Sequence, residues 1–152
     1  MADRLGHLFE DYAEHHRSTG NQVCHLVGIP MIAFSLLGLL AVELFRISAW
    51  PVELSLLLAL GLAPVYMRLD ARLGAALTLS YLALYLLARQ LGWQVNLALF
   101  VLGWVLQFVG HGVYEKRSPA FFKNLMHLVV GPLWVMNHLL RLRPAGARAG
   151  SP

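Results

Sequence analysis

Long apolar runs separated by short charged turns dominate the chain: residues 26–45, 51–67, 73–88 and 94–114, with Arg46, Arg68, Asp70, Arg72 and Arg89 in or beside the gaps. A bilayer core about 30 Å thick takes about 20 helical residues to cross, so the spacing predicts four membrane-spanning helices. The first of them begins earlier, with Ser18 or Thr19 as its cap, runs through Asn21, Cys24 and His25, and carries Glu43 as the single charge of its apolar part. Pro30 interrupts it near the start and frees the carbonyl of Leu26 beside His25. Ahead of it, residues 3–16 place Leu5, Leu8, Phe9 and Tyr12 at helical spacing opposite Asp11 and Glu14, the pattern of a short amphipathic helix on a membrane surface. A fifth run, residues 121–140, is broken by Gly131-Pro132 and holds Lys123, Asn124, His127, Asn137 and His138, which suits a re-entrant or interfacial segment better than a fifth span. The expected architecture is therefore all-α: an integral membrane helical bundle in one domain over residues 1–142, followed by a disordered Gly-, Ala- and Pro-rich tail at 143–152.

Composition strengthens this reading. The 152 residues are 58% hydrophobic and only 13% charged, too much apolar surface for so small a core to hide from water. Residues 1–16 are polar and lack an apolar stretch, so no signal peptide is expected there. One cysteine, Cys24, excludes an intramolecular disulfide framework and any four-cysteine metal site. The net charge of +4 does not imply nucleic acid, because the twelve Lys and Arg sit at the ends of apolar runs rather than on one face. With four crossings, Arg4, Arg17, Arg68, Arg72, Lys116, Arg117, Lys123 and the tail arginines share one side, opposite Arg46 and Arg89. The positive-inside bias then makes both termini cytoplasmic, in a bacterial inner membrane, with no particular oligomeric state implied.

That topology brings His16 and His25, at the start of the first span, to the same face as His111, near the end of the fourth. Asn21 and His25 are spaced i, i+4, as are His111 and Glu115, so each histidine gains a polar neighbour on its own helix face. Imidazole is the commonest protein ligand for transition metals, and such a neighbour orients the ring by taking its other N–H. Glu115 either orients a ligand or binds metal itself, and His127 is a possible fourth ligand if the fifth segment folds back. The bland alternative is that His16 is solvated and His25 and His111 are bonded between helices; three convergent histidines beside a carboxylate at membrane depth favour a site.

The segments Tyr12-Ala-Glu-His-His16-Arg-Ser-Thr-Gly-Asn21-Gln-Val-Cys-His25-Leu-Val-Gly28-Ile-Pro30 and Trp104-Val-Leu-Gln107-Phe-Val-Gly110-His111-Gly-Val-Tyr-Glu115-Lys-Arg-Ser-Pro119-Ala120 resemble the Mpo-type 2-hydroxy fatty acid dioxygenase family. The resemblance runs from Leu8 to about Leu140, with the middle spans matching only as generic apolar helices. It implies a small multi-span membrane enzyme of fatty acid α-oxidation that uses iron(II) and O₂ to shorten a long-chain 2-hydroxy fatty acid by one carbon. It also implies metal-site roles for His16, His25 and His111, with Glu115 close by and His15 and His127 as further candidates. Three protein ligands leave three positions of an octahedral iron for a bidentate 2-hydroxy carboxylate and O₂. On this reading Glu115 orients a ligand or accepts the hydroxyl proton, Asn21 and Gln107 are polar groups behind the ligands, and Arg17 or Lys116 assists the substrate head group. The rival from another class is a non-enzymatic membrane protein, either a scaffold or a bis-histidine haem carrier using His25 and His111.

Overall fold

The computed structural model describes residues 4–116 and 125–142, so the tail at 143–152, the opening of the fifth apolar run at 121–124, Arg117, Pro119 and Lys123 lie outside the described residues. Six helices and one small hairpin follow in order: α1 (Arg4–Glu14), α2 (Thr19–Leu39), β1 (Glu43–Ile47), β2 (Trp50–Glu53), α3 (Leu54–Leu69), α4 (Ala71–Ala88), α5 (Trp93–Val109), a π-helical turn (Gly110–Glu115) and α6 (Met126–Leu140). Local chemistry sets several boundaries. The Ser18 hydroxyl accepts the Asn21 N–H at 3.2 Å and caps α2, and one Asp70 carboxylate oxygen accepts the N–H groups of Arg72 and Leu73 to start α4.

Among the described residues three stretches are long and apolar enough to cross a membrane: Thr19–Leu39, Ala71–Ala88 and Trp93–Glu115. Leu54–Leu69 is apolar but has 16 residues, about 24 Å at 1.5 Å per residue, and so falls short of the expected fourth full-length span. Outward-facing Val23, Leu57, Leu79, Leu86, Val101 and Phe108 are all well exposed. An apolar belt of that extent needs a non-aqueous surround, which makes the protein membrane-associated.

Two expectations are corrected. The run at 26–45 is not one helix: α2 ends at Leu39, and β1 pairs antiparallel with β2 through the turn at Ser48, whose φ of 56° is left-handed. Glu43 lies in β1, where it pairs with Arg46 at 2.7 Å, and α3 starts at Leu54 rather than at Pro51. The hairpin is favoured because Glu53, 5% exposed, is drawn to Arg89 at 2.7 Å across the bundle end. The amphipathic helix is the second correction. Leu5, Phe9 and Tyr12 of α1 are buried in one cluster with Val130 and Leu133 of α6, so protein rather than lipid covers that face.

Glycine sets the closest helix packing. A Cβ on Gly28 would stand 3.0 Å from the Gly103 carbonyl, and one on Gly103 would stand 3.1 Å from the Gly28 carbonyl, so α2 and α5 approach nearly backbone to backbone. The two are antiparallel, since Gly38 near the end of α2 meets Asn96 near the start of α5. The start of α2, the α3–α4 turn and the end of α5 therefore share one end of the bundle, while the hairpin and Arg89 mark the other. The start of α6 contacts Tyr12 through His127, and Leu142, just past its end, lines a cleft with Asp70, Ala71 and Arg72. Together α1 and α6 close over the first end.

Candidate metal centre

Three histidines meet at that end. His16 lies between α1 and α2, His25 in α2, and His111 in the π-helical turn; all are buried, and one ring nitrogen from each lies within 4.8 Å of the others. Ring centroids are 4.3 Å apart for His16 and His25, 4.9 Å for His16 and His111, and 4.8 Å for His25 and His111, with the rings edge-on at 65° to 88°. Gly110 makes room for this: a side chain there would run into Asn21.

The hydrogen bonds behind the rings determine which nitrogens are bare. His16 Nδ1 lies 2.6 Å from the Tyr12 carbonyl and His25 Nδ1 lies 2.9 Å from the Asn21 carbonyl. A carbonyl only accepts, so each Nδ1 carries the proton and each neutral ring presents a lone pair at Nε2. Those two Nε2 atoms face one another at 3.1 Å. Two lone pairs at that distance repel unless a cation lies between them. A proton is a poor candidate, because burial and the neighbouring His25 push the His16 pKa down to about 2. The donor set therefore fits a transition metal ion held by three imidazoles, with backbone carbonyls fixing two of the rings.

Below the triad a cavity of about 340 Å³ opens between α2, α3, α4, α5 and α6. The histidines and Gln107 stand at its head, while Ile29, Ile32, Ala33, Leu36, Leu62 and Phe100 make its walls apolar. From His25 to Leu36 the wall descends about 16 Å along α2, at 1.5 Å per residue. Polar ligands at one end of an apolar slot suit an amphiphile with a chelating head.

The family model for "2-hydroxy-palmitic acid dioxygenase Mpo1-like" matches residues 3–142, nearly the whole chain. The chain belongs to this family. A curated relative, the 2-hydroxy-palmitic acid dioxygenase MPO1 of Saccharomyces cerevisiae, is 34% identical over 131 residues, covering 85% of this chain and 75% of its own length. No solved structure matches.

Within this Mpo1-like chain the other expected residues take varied places. Glu115 is not among the clustered ligand atoms: its Oε1 accepts the Ser18 N–H at 2.7 Å and the Asn21 side-chain amide at 3.3 Å. Asn21 is fully buried, and Gln107 donates to the Cys24 carbonyl at 3.4 Å. His127 reaches the cavity wall but is bonded to Asp11, Nε2 to Oδ2 at 2.9 Å, rather than joining the triad. Arg17 and Lys116 are exposed, and neither lines the cavity. Three contributors were not singled out from the sequence. Tyr12 stacks on His16 at 3.8 Å, and Tyr66 and Tyr81 line the cavity wall. Tyr12 falls in the motif block, which was a usable signal; Tyr66 and Tyr81 look like ordinary packing residues in apolar runs.

Proposed function

We propose that this chain is an iron(II)-dependent dioxygenase that converts a long-chain 2-hydroxy fatty acid, such as 2-hydroxy-palmitic acid, to the acid one carbon shorter. The observation that carries the reading is the pair of bare Nε2 atoms of His16 and His25 at 3.1 Å, with His111 beside them, at the head of an apolar cavity. When bound there, iron(II) supplies a redox-active Lewis acid with open positions for a chelating substrate and O₂. The chain's own residues do the rest. His16, His25 and His111 hold the ion, and the Tyr12 and Asn21 carbonyls keep two of those rings in the right tautomer. Glu115 acts through Asn21 and Ser18 as a positioning residue. Ile29, Ile32, Ala33 and Leu36 enclose the acyl chain and exclude water, while Gln107 offers an amide near the substrate head. Arg17 and Lys116 attract the anionic head group from outside the cavity.

Four helices, α2 to α5, cross the membrane, the 16-residue α3 as a short span that local thinning of the bilayer accommodates, with α1 and α6 lying at the interface over the metal centre and both termini on the cytoplasmic side. The even number of crossings and the positive charges gathered beside the centre support this orientation. A bis-histidine haem is disfavoured. Rings ligating one iron from opposite sides through bonds of about 2 Å have centroids about 6 Å apart, whereas those of His25 and His111 are 4.8 Å apart with His16 against both.

The test is turnover. Protein purified in detergent and loaded with iron(II) under air is expected to consume O₂ with 2-hydroxy-palmitic acid and release the acid one carbon shorter, and to react poorly with palmitic acid itself. His25→Ala and His111→Ala are expected to lose both iron and activity while keeping their helical circular dichroism. Iron-loaded protein that turns over no 2-hydroxy acid of any chain length would overturn the assignment.

A further inference from the structure

Among the described residues a second group of potential ligands stands apart from the triad: Asp11, His15 and His127, whose donor atoms also lie within 4.8 Å of one another. It shares no residue with the first group: Asp11 comes from α1, His127 from α6, and His15 from the α1–α2 link, where it directly precedes His16. Tyr12 separates the two groups, stacking on His16 at 3.8 Å and on His127 at 5.7 Å.

His15 repeats the ring arrangement of His16 and His25. His15 Nδ1 lies 2.9 Å from the Asp11 carbonyl, as His16 Nδ1 does from Tyr12 and His25 Nδ1 from Asn21. The carbonyl holds the proton on Nδ1 and leaves Nε2 as a bare donor. His127 is 8% exposed, and its Nε2 stands 2.9 Å from Asp11 Oδ2, the spacing of adjacent ligands on one ion. Its Nδ1 is buried without a hydrogen-bond partner among the described residues, so the Asp11 side is where this ring is held. Asp11 is half-exposed and gives access from solvent. His15 brings a second imidazole against that pair, its ring centroid 5.3 Å from that of His127.

We infer that Asp11, His15 and His127 form a second site for a divalent transition ion, a two-imidazole, one-carboxylate set suited to zinc or iron(II). An ion there ties α1 to α6 across the end of the bundle and fixes Tyr12 between the two centres. The site does not depend on the proposed reaction, and its test is separate from turnover.

Full-length protein stripped with chelator in detergent is titrated with zinc(II), then desalted and counted by elemental analysis, with cobalt(II) absorption as a second readout. The expected result is about two ions per chain in the parent protein and about one in Asp11→Asn, in His15→Gln and in His25→Ala. The double variant His15→Gln, His25→Ala is expected to bind none. His15 is half-exposed, so His15→Gln keeps the test valid should Asp11→Asn fail to fold. One ion in the parent protein, or two retained in His15→Gln, would overturn the second site while leaving the triad in place.

Discussion

The Glu115 carboxylate accepts the backbone N–H of Ser18 at 2.7 Å, so the end of the π-helical turn caps the first turn of α2. The same oxygen holds Asn21, whose carbonyl in turn fixes His25. A charge-assisted bond of this kind contributes about 1.5 kcal/mol where the carboxylate is partly exposed. Glu115→Gln, which keeps an acceptor, is expected to retain its metal with a small loss of thermal stability, and Glu115→Ala to lose several degrees of Tm and part of its metal. Elemental analysis and thermal unfolding of both variants check this. A folded Gln variant without metal would make the carboxylate a ligand.

Gly103 is expected to be the position in α5 least tolerant of a methyl group. A Cβ there would stand 2.7 Å from Ile32 and 3.1 Å from the Gly28 carbonyl, and forcing the backbones apart costs roughly 1–3 kcal/mol. Gly61 is the control, because a Cβ there meets nothing within 4 Å among the described residues. Unfolding in detergent should show Gly103→Ala destabilised and Gly61→Ala unchanged or slightly more stable, by about 0.5–1 kcal/mol from helix propensity.

Stability without metal should fall with acid. Burial holds His16 neutral in the folded protein, down to about pH 2, whereas the unfolded chain protonates it near 6.5. Between those values the unfolded state binds the extra proton, so folding stability is full above about pH 6.5 and declines as the pH drops below it. Tm of the chelator-treated protein measured from pH 8 to pH 5 should decrease, and His16→Gln should flatten that decrease.

The cavity predicts a length limit on substrate. Ala33 lies two turns below His25, about 12 Å along α2 at 1.5 Å per residue, and lines the wall. Ala33→Phe is expected to block the lower part of the slot, cutting turnover of a sixteen-carbon 2-hydroxy acid about tenfold or more while sparing a short-chain one. Equal loss on both would place the acyl chain elsewhere.

The meeting of His16, His25 and His111 was legible because an even number of helical crossings returns the chain to the end it left, and apolar run lengths reveal crossings. Placing His127 required the direction of α6, which hydropathy does not encode: whether it reaches the triad or Asp11 depends on how α1 and α6 pack. The hairpin at Glu43–Glu53 was hidden for a different reason. Val42, Leu44 and Phe45 extend the preceding apolar run with Glu43 its single charge, and the turn uses Ser48 rather than a glycine pair. Tyr66 and Tyr81 were hidden because cavity walls and packed cores call for the same side chains.

The π-helical turn at Gly110–Glu115 makes the site sensitive to a kind of change that residue identity does not reveal. Its wider ring of backbone bonds accommodates more chain per turn than an α-helix does. That turn carries six residues through nearly the angle that five take in an α-helix, so loss of one residue between 110 and 115 would be absorbed, whereas loss of one from α5 would swing all that follows by about 100°. In the second case Glu115 would leave Ser18, although every histidine, charge and apolar run stayed in the sequence. An alignment of relatives would record either loss as a single gap, so the position of that gap relative to the π-helical turn would be more informative about lost activity than substitutions beside it.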